Sequence, residues 1–502
     1  MKRFLILLLC LVIFLSSCQG TAPTTTTPDS TPVSTPESTV STDPKQDAAI
    51  ITPEYQKWIN NSKSFFSQIK VTGTSKSDLI TGDSHALAWG SSYTLHSIYR
   101  AYCATGDQNY LKNLASMLYR IFELMADTDG DGYLNWGASY NINGKSYPYD
   151  EYAAHVGIMV SIAGDFVNLI YGDPSLFEKS AHLRLSYKEV TDFIIDRAIN
   201  HAIPAFEKDW NDELGVYMNR PGCVNYSGAT KPIALPNNQY LCMVPALLNF
   251  AKICPEKRDE YIYKAEKMLS TFRAHVTFAD DGTACWNYKD TLFENDWVTS
   301  TEDYSHAMWD IRAAIYGMSS GLVFSVSDLE AMAKTYDVNM FRGTEDNPKL
   351  TEYVDGKGNA GGAISLLLFD LGVYGEKIIT RGAKALEVSN TTKSRDAGRV
   401  LAFHPDTPIP RWFDLTLPAN NAENVGSTEG FIWQRKAYAN YYTLQIATDA
   451  DFTNIIVNRD KILESSAIVK DLPASSTLYW RVIANNIAGD KIYSDTFSFK
   501  TK

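Results

Sequence analysis

Histidine, tyrosine and acidic residues form short clusters, and each cluster directly precedes a long apolar stretch of the sequence. The acid–base candidates in these clusters are His85, Glu151, His155, Glu302, Tyr304 and His306. Histidine suits general acid–base catalysis without special tuning, because its ordinary pKa lies near neutral pH. The two glutamates, each beside an aspartate, offer a second chemistry, in which two carboxyl groups act on opposite sides of a substrate. The sequence leaves both chemistries open.

Other residues near the same clusters suit substrate binding rather than proton transfer. The binding candidates are Trp89, Asn237, Asn238, Tyr240, Trp286, Tyr288 and Arg312. Aromatic rings on a concave surface can stack on the rings of a ligand, while amide and guanidinium groups bind carboxylates. Several of these aromatic residues lie in loops that are longer than usual for a compact domain, and such loops are often functional.

The apolar stretches have helical periodicity and alternate with amphipathic helical stretches. The apolar members start at Ser84, Asp150, Asn237, Glu302 and Asn359. A helix that is apolar on all sides is buried, whereas a helix with a polar stripe lies outside. The pattern therefore predicts an incomplete (α/α) toroid of about five to six helical hairpins over residues 49–392. Inner helices that run in the same direction would bring the polar clusters together at one end of the ring, here called the mouth.

Three short motifs resemble those of a known enzyme superfamily. They are SHALAWG at residues 84–90, ATGD at 104–107 and EDYSHA at 302–307. Together they resemble carbohydrate-active α/α-toroid enzymes, which include polysaccharide lyases, six-hairpin glycosidases and the catalytic domain of glucuronyl epimerases. The resemblance covers the predicted helical domain and implies a polysaccharide or oligosaccharide as the substrate.

The resemblance implies two reactions, and the residues do not decide between them. In a lyase that cleaves a uronate-containing glycan by β-elimination, tyrosine and histidine transfer protons, and the asparagine and arginine candidates bind the substrate carboxylate. In a glycoside hydrolase, the pair Asp150–Glu151 would face the pair Glu302–Asp303 across the sugar. Our main expectation is a surface-anchored lyase. The alternatives are a hydrolase or a non-catalytic glycan-binding lipoprotein, and none of the three requires a cofactor.

Asp127, Asp129 and Asp131 have the oxygen spacing that opens a calcium-binding EF-hand loop. The twelfth position of such a loop supplies a bidentate glutamate, but Ala138 occupies that position here. A turn rich in Asp and Gly explains the same residues, so calcium is an optional cofactor in this interpretation. The spacing of cysteine and histidine does not predict a zinc site.

The sequence after residue 403 changes to short stretches in which apolar and polar residues alternate, as in YTLQI at 442–446 and LYWRVIA at 478–484. The second stretch, the Asn- and Gly-containing turn after it and the closing Phe-Ser-Phe segment resemble a fibronectin type III module. The resemblance implies a small all-β sandwich over residues 403–502. The chain is therefore predicted to be multidomain and mainly α.

The first residues of the chain have the features of a lipoprotein signal. Lys2 and Arg3 precede an apolar run, Phe4 to Leu15, that is too short to span a bilayer but suits a signal-peptide core. The run ends in Leu-Ser-Ser-Cys at 15–18, which resembles the bacterial lipobox. We expect a signal peptide over residues 1–17 and a lipid on Cys18 that anchors an extracytoplasmic protein to the cell membrane.

Residues 18–48 consist largely of Thr, Ser and Pro and contain few apolar residues. Such a segment cannot offset the entropy cost of ordering, so we expect a disordered linker. The net charge of −12 makes nucleic acid an unfavourable partner. The expected partners are the glycan and, through the lipid alone, the membrane.

Mass spectrometry of the mature protein from cells should find a lipid-modified Cys18 at the N-terminus. Changing Cys18→Ser should move the protein from the membrane fraction to the soluble fraction, because the thiol is the attachment point. A mature chain that begins elsewhere and carries an unmodified Cys18 would contradict the lipoprotein interpretation.

Overall fold

The computed structural model describes residues 49–69, 79–142, 145–219, 233–289, 301–359 and 368–502. The predicted signal peptide, the lipidated Cys18 and most of the linker lie outside the described residues and stay predictions. The same holds for residues 360–367, which follow the fifth predicted helix start at Asn359.

The described part of the chain is mainly helical up to residue 402 and strand-rich after it. This confirms the predicted order of a helical part followed by a β part. The α-helices are α1 (Pro53–Phe66), α2 (Ser84–Ala86), α3 (Ser92–Thr105), α4 (Gln108–Phe122), α5 (Ala153–Gly172), α6 (Tyr187–Arg197), α7 (Asn237–Tyr240), α8 (Met243–Ile253), α9 (Pro255–Arg273), α10 (Tyr304–Ser319), α11 (Val326–Thr335), α12 (Ile378–Val388) and α13 (Ala397–Ala402). A π-helical segment, Leu87–Ser91, joins α2 to α3.

Helices α5 and α9 illustrate the difference between the two kinds of helix. Every residue of α5 except Tyr171 is buried, and the helix is long and apolar enough to cross a membrane by length and composition alone. Because it is wholly enclosed by the protein, it is a core helix. In α9, by contrast, the buried residues recur along one face and the remainder are polar.

The apolar helices follow one another around a common centre. Helix α3 packs against α5, α5 against α8 and α8 against α10. The 3₁₀-helical segment Leu368–Val373 contacts α10 and α13, and α13 packs against α3 and α1. Gly157 allows a close approach of α5 to the start of α8, since a Cβ there would lie 2.7 Å from the carbonyl carbon of Cys242. This order fits the predicted inner ring, while the number of hairpins stays a prediction.

Short two- and three-stranded sheets form in the connections between the helices. Their strands are β1 (Gly137–Ile142), β2 (Lys145–Glu151), β3 (Ser180–His182), β4 (Leu185–Ser186), β5 (Trp210–Asn211), β6 (Val216–Asn219), β7 (Ile233–Ala234), β8 (Thr277–Phe278), β9 (Ala284–Cys285), β10 (Phe341–Thr344) and β11 (Asn347–Leu350). The antiparallel hairpin of β1 and β2 leads directly into α5.

Two larger sheets make up the strand-rich part. Their strands are β12 (Leu415–Leu417), β13 (Ala422–Val425), β14 (Glu429–Trp433), β15 (Tyr441–Ala447), β16 (Ile455–Ile462), β17 (Ser466–Val469), β18 (Thr477–Asn485), β19 (Lys491–Tyr493) and β20 (Phe497–Thr501). One sheet has the order β12-β14-β17, and the other has the order β13-β20-β18-β15-β16 with β19 paired to β18. Phe431, Trp433 and Trp480 lie in a core of their own. The fibronectin type III assignment and the boundary between residues 392 and 403 stay predictions.

A buried ion pair joins the helical part to the strand-rich part. Arg100 of α3 lies 2.8 Å from Glu464, and the hydroxyl of Tyr99 donates a hydrogen bond to the same carboxylate. Arg100 also contacts Asp370 at 3.2 Å. An exposed pair, Lys461 with Glu330 at 2.7 Å, connects the same two parts at the surface.

Glu464→Gln should lower the free energy of unfolding by about 3 kcal/mol, because it removes one of the two carboxylates that neutralise the buried Arg100. The matched change Glu330→Gln breaks the exposed pair and should cost less than about 1 kcal/mol. Urea unfolding followed by circular dichroism measures both changes. Equal effects of the two variants would contradict the structural importance of the buried pair.

Candidate functional site

The N-terminal ends of α2 and α5 meet at His155. The Nε2 atom of His155 accepts a hydrogen bond from the Trp89 indole at 3.0 Å, and its Nδ1 atom lies 2.9 Å from the Ser84 hydroxyl. Because Nε2 accepts, we assign the ring proton to Nδ1, which donates to Ser84. Burial, together with neighbouring His85, lowers the pKa of His155 to about 3. The neutral ring therefore orients Trp89, which argues against the predicted acid–base role of His155.

The β1–β2 hairpin places Asp150 and Glu151 beside the start of α2. Gly137 of β1 pairs with Glu151 of β2 and also bridges to Asp83, which caps α2 by accepting the Ala86 amide. Glu151 is buried and accepts a hydrogen bond from Thr128 at 3.3 Å, whereas Asp150 is half-exposed. Asp150 and Glu151, which directly precede α5, thus lie at the same end of the ring as His85.

A row of aromatic rings links this region to α10. His155 lies 5.7 Å from Trp89, Trp89 lies 6.1 Å from Trp309, and Trp309 lies 6.0 Å from Tyr93, measured between ring centroids. We call these four residues the aromatic row. His85 contacts the His155 end of the row at 5.8 Å. Trp89 and Tyr93 are half-exposed, so they offer ring faces for stacking on a sugar.

Sequence reasoning did not single out Tyr93 or Trp309. Both lie one helical turn beyond candidates that it did select, since Tyr93 follows Trp89 by four residues and Trp309 follows His306 by three. Residues at these spacings share a helix face. Helical spacing was therefore the signal that could have identified them.

The first turn of α10 carries an aspartate–histidine dyad. Asp303 caps the helix by accepting the backbone amides of Ser305 and His306, and its other oxygen lies 2.5 Å from His306 Nδ1. Burial alone would raise the pKa of Asp303, but the hydrogen bonds from His306 and Ser305 lower it to about 2. His306 is 39% exposed and its ring lies 5.1 Å from that of Tyr288. The dyad presents an oriented imidazole and an ionised carboxylate at the surface of the mouth.

Two further carboxyl groups lie beneath the dyad. Glu302 and Asp310 are both 0% exposed. Glu302 accepts the Asp303 amide at 3.0 Å, and Asp310 accepts the Trp286 indole N–H at 2.8 Å. Burial and their mutual repulsion raise the pKa of Glu302 far above its usual range, and burial raises that of Asp310 to about 7. The burial of Glu302 corrects the prediction that it is catalytic and places it beneath the surface of the mouth. Trp286 is also buried, which corrects the prediction that it binds substrate.

The third predicted cluster, which begins at Asn237, forms hydrogen bonds to a neighbouring loop and does not face the mouth. The side chain of Asn237 donates to the Asn287 carbonyl at 2.9 Å and accepts the Tyr240 hydroxyl at 3.0 Å. Its backbone amide donates to the Tyr288 carbonyl at 3.2 Å. Asn237, Asn238 and Tyr240 are all buried, which argues against the prediction that they bind substrate. Asn237, which accepts the Tyr240 hydroxyl, instead holds the loop that carries Tyr288. Tyr288 itself is half-exposed, as a binding residue requires.

Arg312 lies far below the mouth. It is 2% exposed, and its guanidinium contacts Asp165 of α5 and His96 of α3, both at 2.6 Å. The Tyr316 hydroxyl lies 3.3 Å from the same guanidinium. These contacts occupy Arg312 within the core, which corrects the prediction that it binds a substrate carboxylate. Tyr304, in contrast, is half-buried at the start of α10, as predicted.

Two groups of described side chains have the composition of metal ligands. Ligand atoms of Glu302, Asp303 and His306 lie within 4.8 Å of one another. However, the 2.5 Å contact between His306 and Asp303 is a direct hydrogen bond. Two ligands of one tetrahedral zinc ion would lie about 3.3 Å apart, so these two atoms bind each other and no ion fits between them.

Asp127, Asp129 and Asp131 form the second group. Lys208 lies 2.6 Å from Asp131 and 3.5 Å from Asp129, while Asp127 accepts the amides of two glycines in its own turn. The ammonium group supplies the positive charge that a calcium ion would otherwise bring. The geometry fits an Asp- and Gly-rich turn, and calcium binding stays a prediction.

Comparison with known proteins gives a limited picture. No family model and no curated protein matches the chain. Two inactive variants of the alpha-1,6-mannanase GH76A of Salegentibacter sp. HEL1_6, in complex with alpha-1,6-mannotriose or alpha-1,6-mannotetrose, are 13% identical to it with a TM-score of 0.37. A further structure of this mannanase is 12% identical with a TM-score of 0.34. Each covers 69% of this chain and 97% of its own. At these values the likeness carries no argument about activity, so the function rests on the geometry of the mouth.

His155 should remain neutral through the physiological range in a proton NMR titration of its ring, with the signal assigned by loss in His155→Asn. Its folded pKa of about 3 lies below the ordinary value of 6.5. Below pH 6.5 His155 therefore binds a proton in the unfolded chain but not in the folded protein. As the pH falls toward 3, this difference should lower the free energy of unfolding. A His155 signal that titrates between pH 6 and 7 would contradict the proposed tautomer and its role.

Proposed function

We propose that the protein is a glycoside hydrolase that cleaves a neutral polysaccharide or oligosaccharide bound at the mouth. Asp150 of β2, on the approach to α5, and Asp303 at the start of α10 are half-exposed carboxyl groups from different elements. The aromatic row runs from α5 to α10 between the two segments that carry them. Two carboxyl groups around a sugar-stacking surface are the equipment that glycoside hydrolysis requires.

The charge of the mouth supports a hydrolase over the lyase that the sequence favoured. A lyase must neutralise the carboxylate of a uronate, and Arg312 is committed to the core. Four lysines, Lys145, Lys231, Lys289 and Lys357, lie in loops that lead to the predicted inner helices. Of these, Lys289 is buried and Lys357 pairs with Asp355 at 2.7 Å. Lys231 and the side chain of Lys145 lie outside the described residues.

The acidic balance of the described mouth is the observation that carries this proposal. Arg395, 4.8 Å from the Tyr93 ring, is a cation at one end of the aromatic row. It is outnumbered by the acidic groups near the helix starts, which are Asp83, Asp150, Glu151 and Asp303. Such a surface repels a polyanion and tolerates a neutral glycan.

The environments of the carboxyl groups suggest different roles for them. Hydrolysis needs one carboxyl group that stays ionised and another that delivers a proton to the leaving oxygen. The low pKa of Asp303 suits the ionised role, and the hydrogen bond to His306 maintains it. The proton donor then belongs to the opposite pair, Asp150–Glu151. No step of this mechanism needs a cofactor.

The lipid on Cys18 and the linker would hold this hydrolase at the outer face of the membrane, where polymeric substrates are accessible. The Asp303–His306 dyad also keeps the lyase alternative testable, because an oriented imidazole is a competent general base. In that case Tyr304 would be the candidate proton donor.

An assay over neutral polysaccharides and uronate-containing ones should show new reducing ends on a neutral polymer, without the ultraviolet absorbance of an unsaturated uronate. Asp303→Asn and either Asp150→Asn or Glu151→Gln should each lower kcat by about 100-fold or more, since acid–base groups contribute that much. The exposed carboxylate change Glu213→Gln, in a turn of the β5–β6 hairpin, should leave kcat unchanged and serves as the control.

Other outcomes of the same assay identify the alternatives. If both signals rise on a uronate polymer and disappear in His306→Ala and Tyr304→Phe, the protein is a lyase and the hydrolase proposal is wrong. Binding to a glycan without either signal would instead identify a non-catalytic glycan-binding lipoprotein.

A further inference from the structure

We propose that Glu302 and Asp310 share one proton and that this pair is a positioning element for the Asp303–His306 dyad. The existence of the pair is independent of the enzyme class. Its effect on catalysis rests on the hydrolase proposed above.

The hydrogen bonds around the pair leave one oxygen on each carboxyl group unexplained. One oxygen of Glu302 accepts the Asp303 amide, and one oxygen of Asp310 accepts the Trp286 indole. Glu302 Oε2 and Asp310 Oδ1 are buried without a hydrogen-bond partner among the described residues. The two side chains lie within hydrogen-bonding range of each other. A single proton between them satisfies both oxygens, whereas two ionised groups satisfy neither.

Among the described residues, no lysine or arginine is paired with the two buried carboxyl groups to stabilise them as anions. The titratable groups that face the pair from other elements are Tyr288, Tyr336 and Cys242, all neutral at physiological pH because burial raises the pKa of each. On the pair's own segment, Asp303 is ionised, and His306 Nδ1 lies 3.9 Å from Glu302. Retaining a proton is therefore the least costly way to bury both groups.

The pair is connected directly to the surface dyad. Glu302 accepts the amide of Asp303 through its side chain and the amide of Val354 through its backbone carbonyl. Asp303 in turn caps α10 and holds the imidazole of His306. If the shared proton leaves, repulsion between the two anions pushes on Glu302, and Asp303 loses the bond that fixes its backbone. The dyad is thus well oriented only while the pair is protonated.

Infrared spectroscopy of the full-length protein tests the pair without any substrate. At pH 6 the protein should show the C=O stretch of a buried protonated carboxyl group, and this band should shift in Asp310→Asn and disappear when Glu302→Gln is added. Asp328, a buried carboxylate 2.8 Å from Arg273, supplies the matched control. Asp328→Asn should leave the band unchanged. The proposal is wrong if the native protein lacks the band, if Asp310→Asn leaves it unshifted, or if the double variant retains it.

Stability provides a second readout. The pKa of Asp310 is about 7 in the folded protein and 3.8 in the unfolded chain. The contribution of Asp310 to the free energy of unfolding is therefore fully present below pH 3.8 and is lost as the pH rises through 7. The fall in the urea midpoint between pH 4 and 7 should therefore be smaller in Asp310→Asn than in the native protein. Equal slopes in both proteins would overturn the shared proton. Glu302→Gln provides the same comparison if Asp310→Asn does not fold.

The catalytic effect is tested on the neutral polymer that the native enzyme cleaves. The native kcat should fall at alkaline pH as the last proton leaves the pair, and Asp310→Asn should abolish this alkaline limb while changing KM less than twofold. An unchanged pH profile overturns the positioning role. If no glycan is cleaved, the hydrolase proposal fails, but the infrared band still decides the pair. Stoichiometric Zn²⁺ or Ca²⁺ binding that is lost in Glu302→Gln would show that a metal ion, and not a shared proton, satisfies the two carboxyl groups, and would overturn the proposal.

Discussion

A buried ion pair between Arg312 of α10 and Asp165 of α5 holds together the two helices that carry most of the candidate site. The guanidinium and carboxylate lie 2.6 Å apart, and Asn249 of α8 donates to the same carboxylate at 2.8 Å. Arg312 lies about two turns below the N-terminal end of α10, and Asp165 lies about three turns below that of α5. Because an unpaired buried charge costs several kcal/mol, the helices cannot slide past one another. Their N-terminal ends therefore open on one mouth.

This arrangement also explains how so many acidic groups can share one surface with few basic groups among the described residues. The N-terminal end of a helix carries a partial positive charge and unpaired amides, so it stabilises carboxylates. Asp83 and Asp303 use those amides as helix caps, and the cap at Asp303 adds a histidine. The deeper pair, Glu302 and Asp310, has one oxygen on each carboxyl group that no amide among the described residues reaches, and it relies on a proton instead. Position relative to the helix ends thus separates ionised from protonated carboxyl groups within one site.

The helix pairs and the convergence of their polar ends follow from the sequence, since periodicity distinguishes an enclosed helix such as α5 from an amphipathic one such as α9. The individual roles do not follow in the same way. Arg312 and Trp286 look like binding residues until their buried partners, Asp165 and Asp310, are known, and those contacts depend on packing between helices. Asp310 itself escapes notice because it lies inside an apolar stretch. A single buried acid within such a helix has no periodic signal.

The central claim is that the helix starts form one carboxylate-lined mouth for a neutral sugar chain. A crystal structure of Asp303→Asn with a neutral oligosaccharide from the cleaved polymer tests it most directly. The account predicts a sugar ring stacked on Trp89 and a glycosidic oxygen between the Asp150–Glu151 pair and residue 303. An oligosaccharide bound away from this mouth, or a uronate whose carboxylate is held there by a basic side chain, would contradict it.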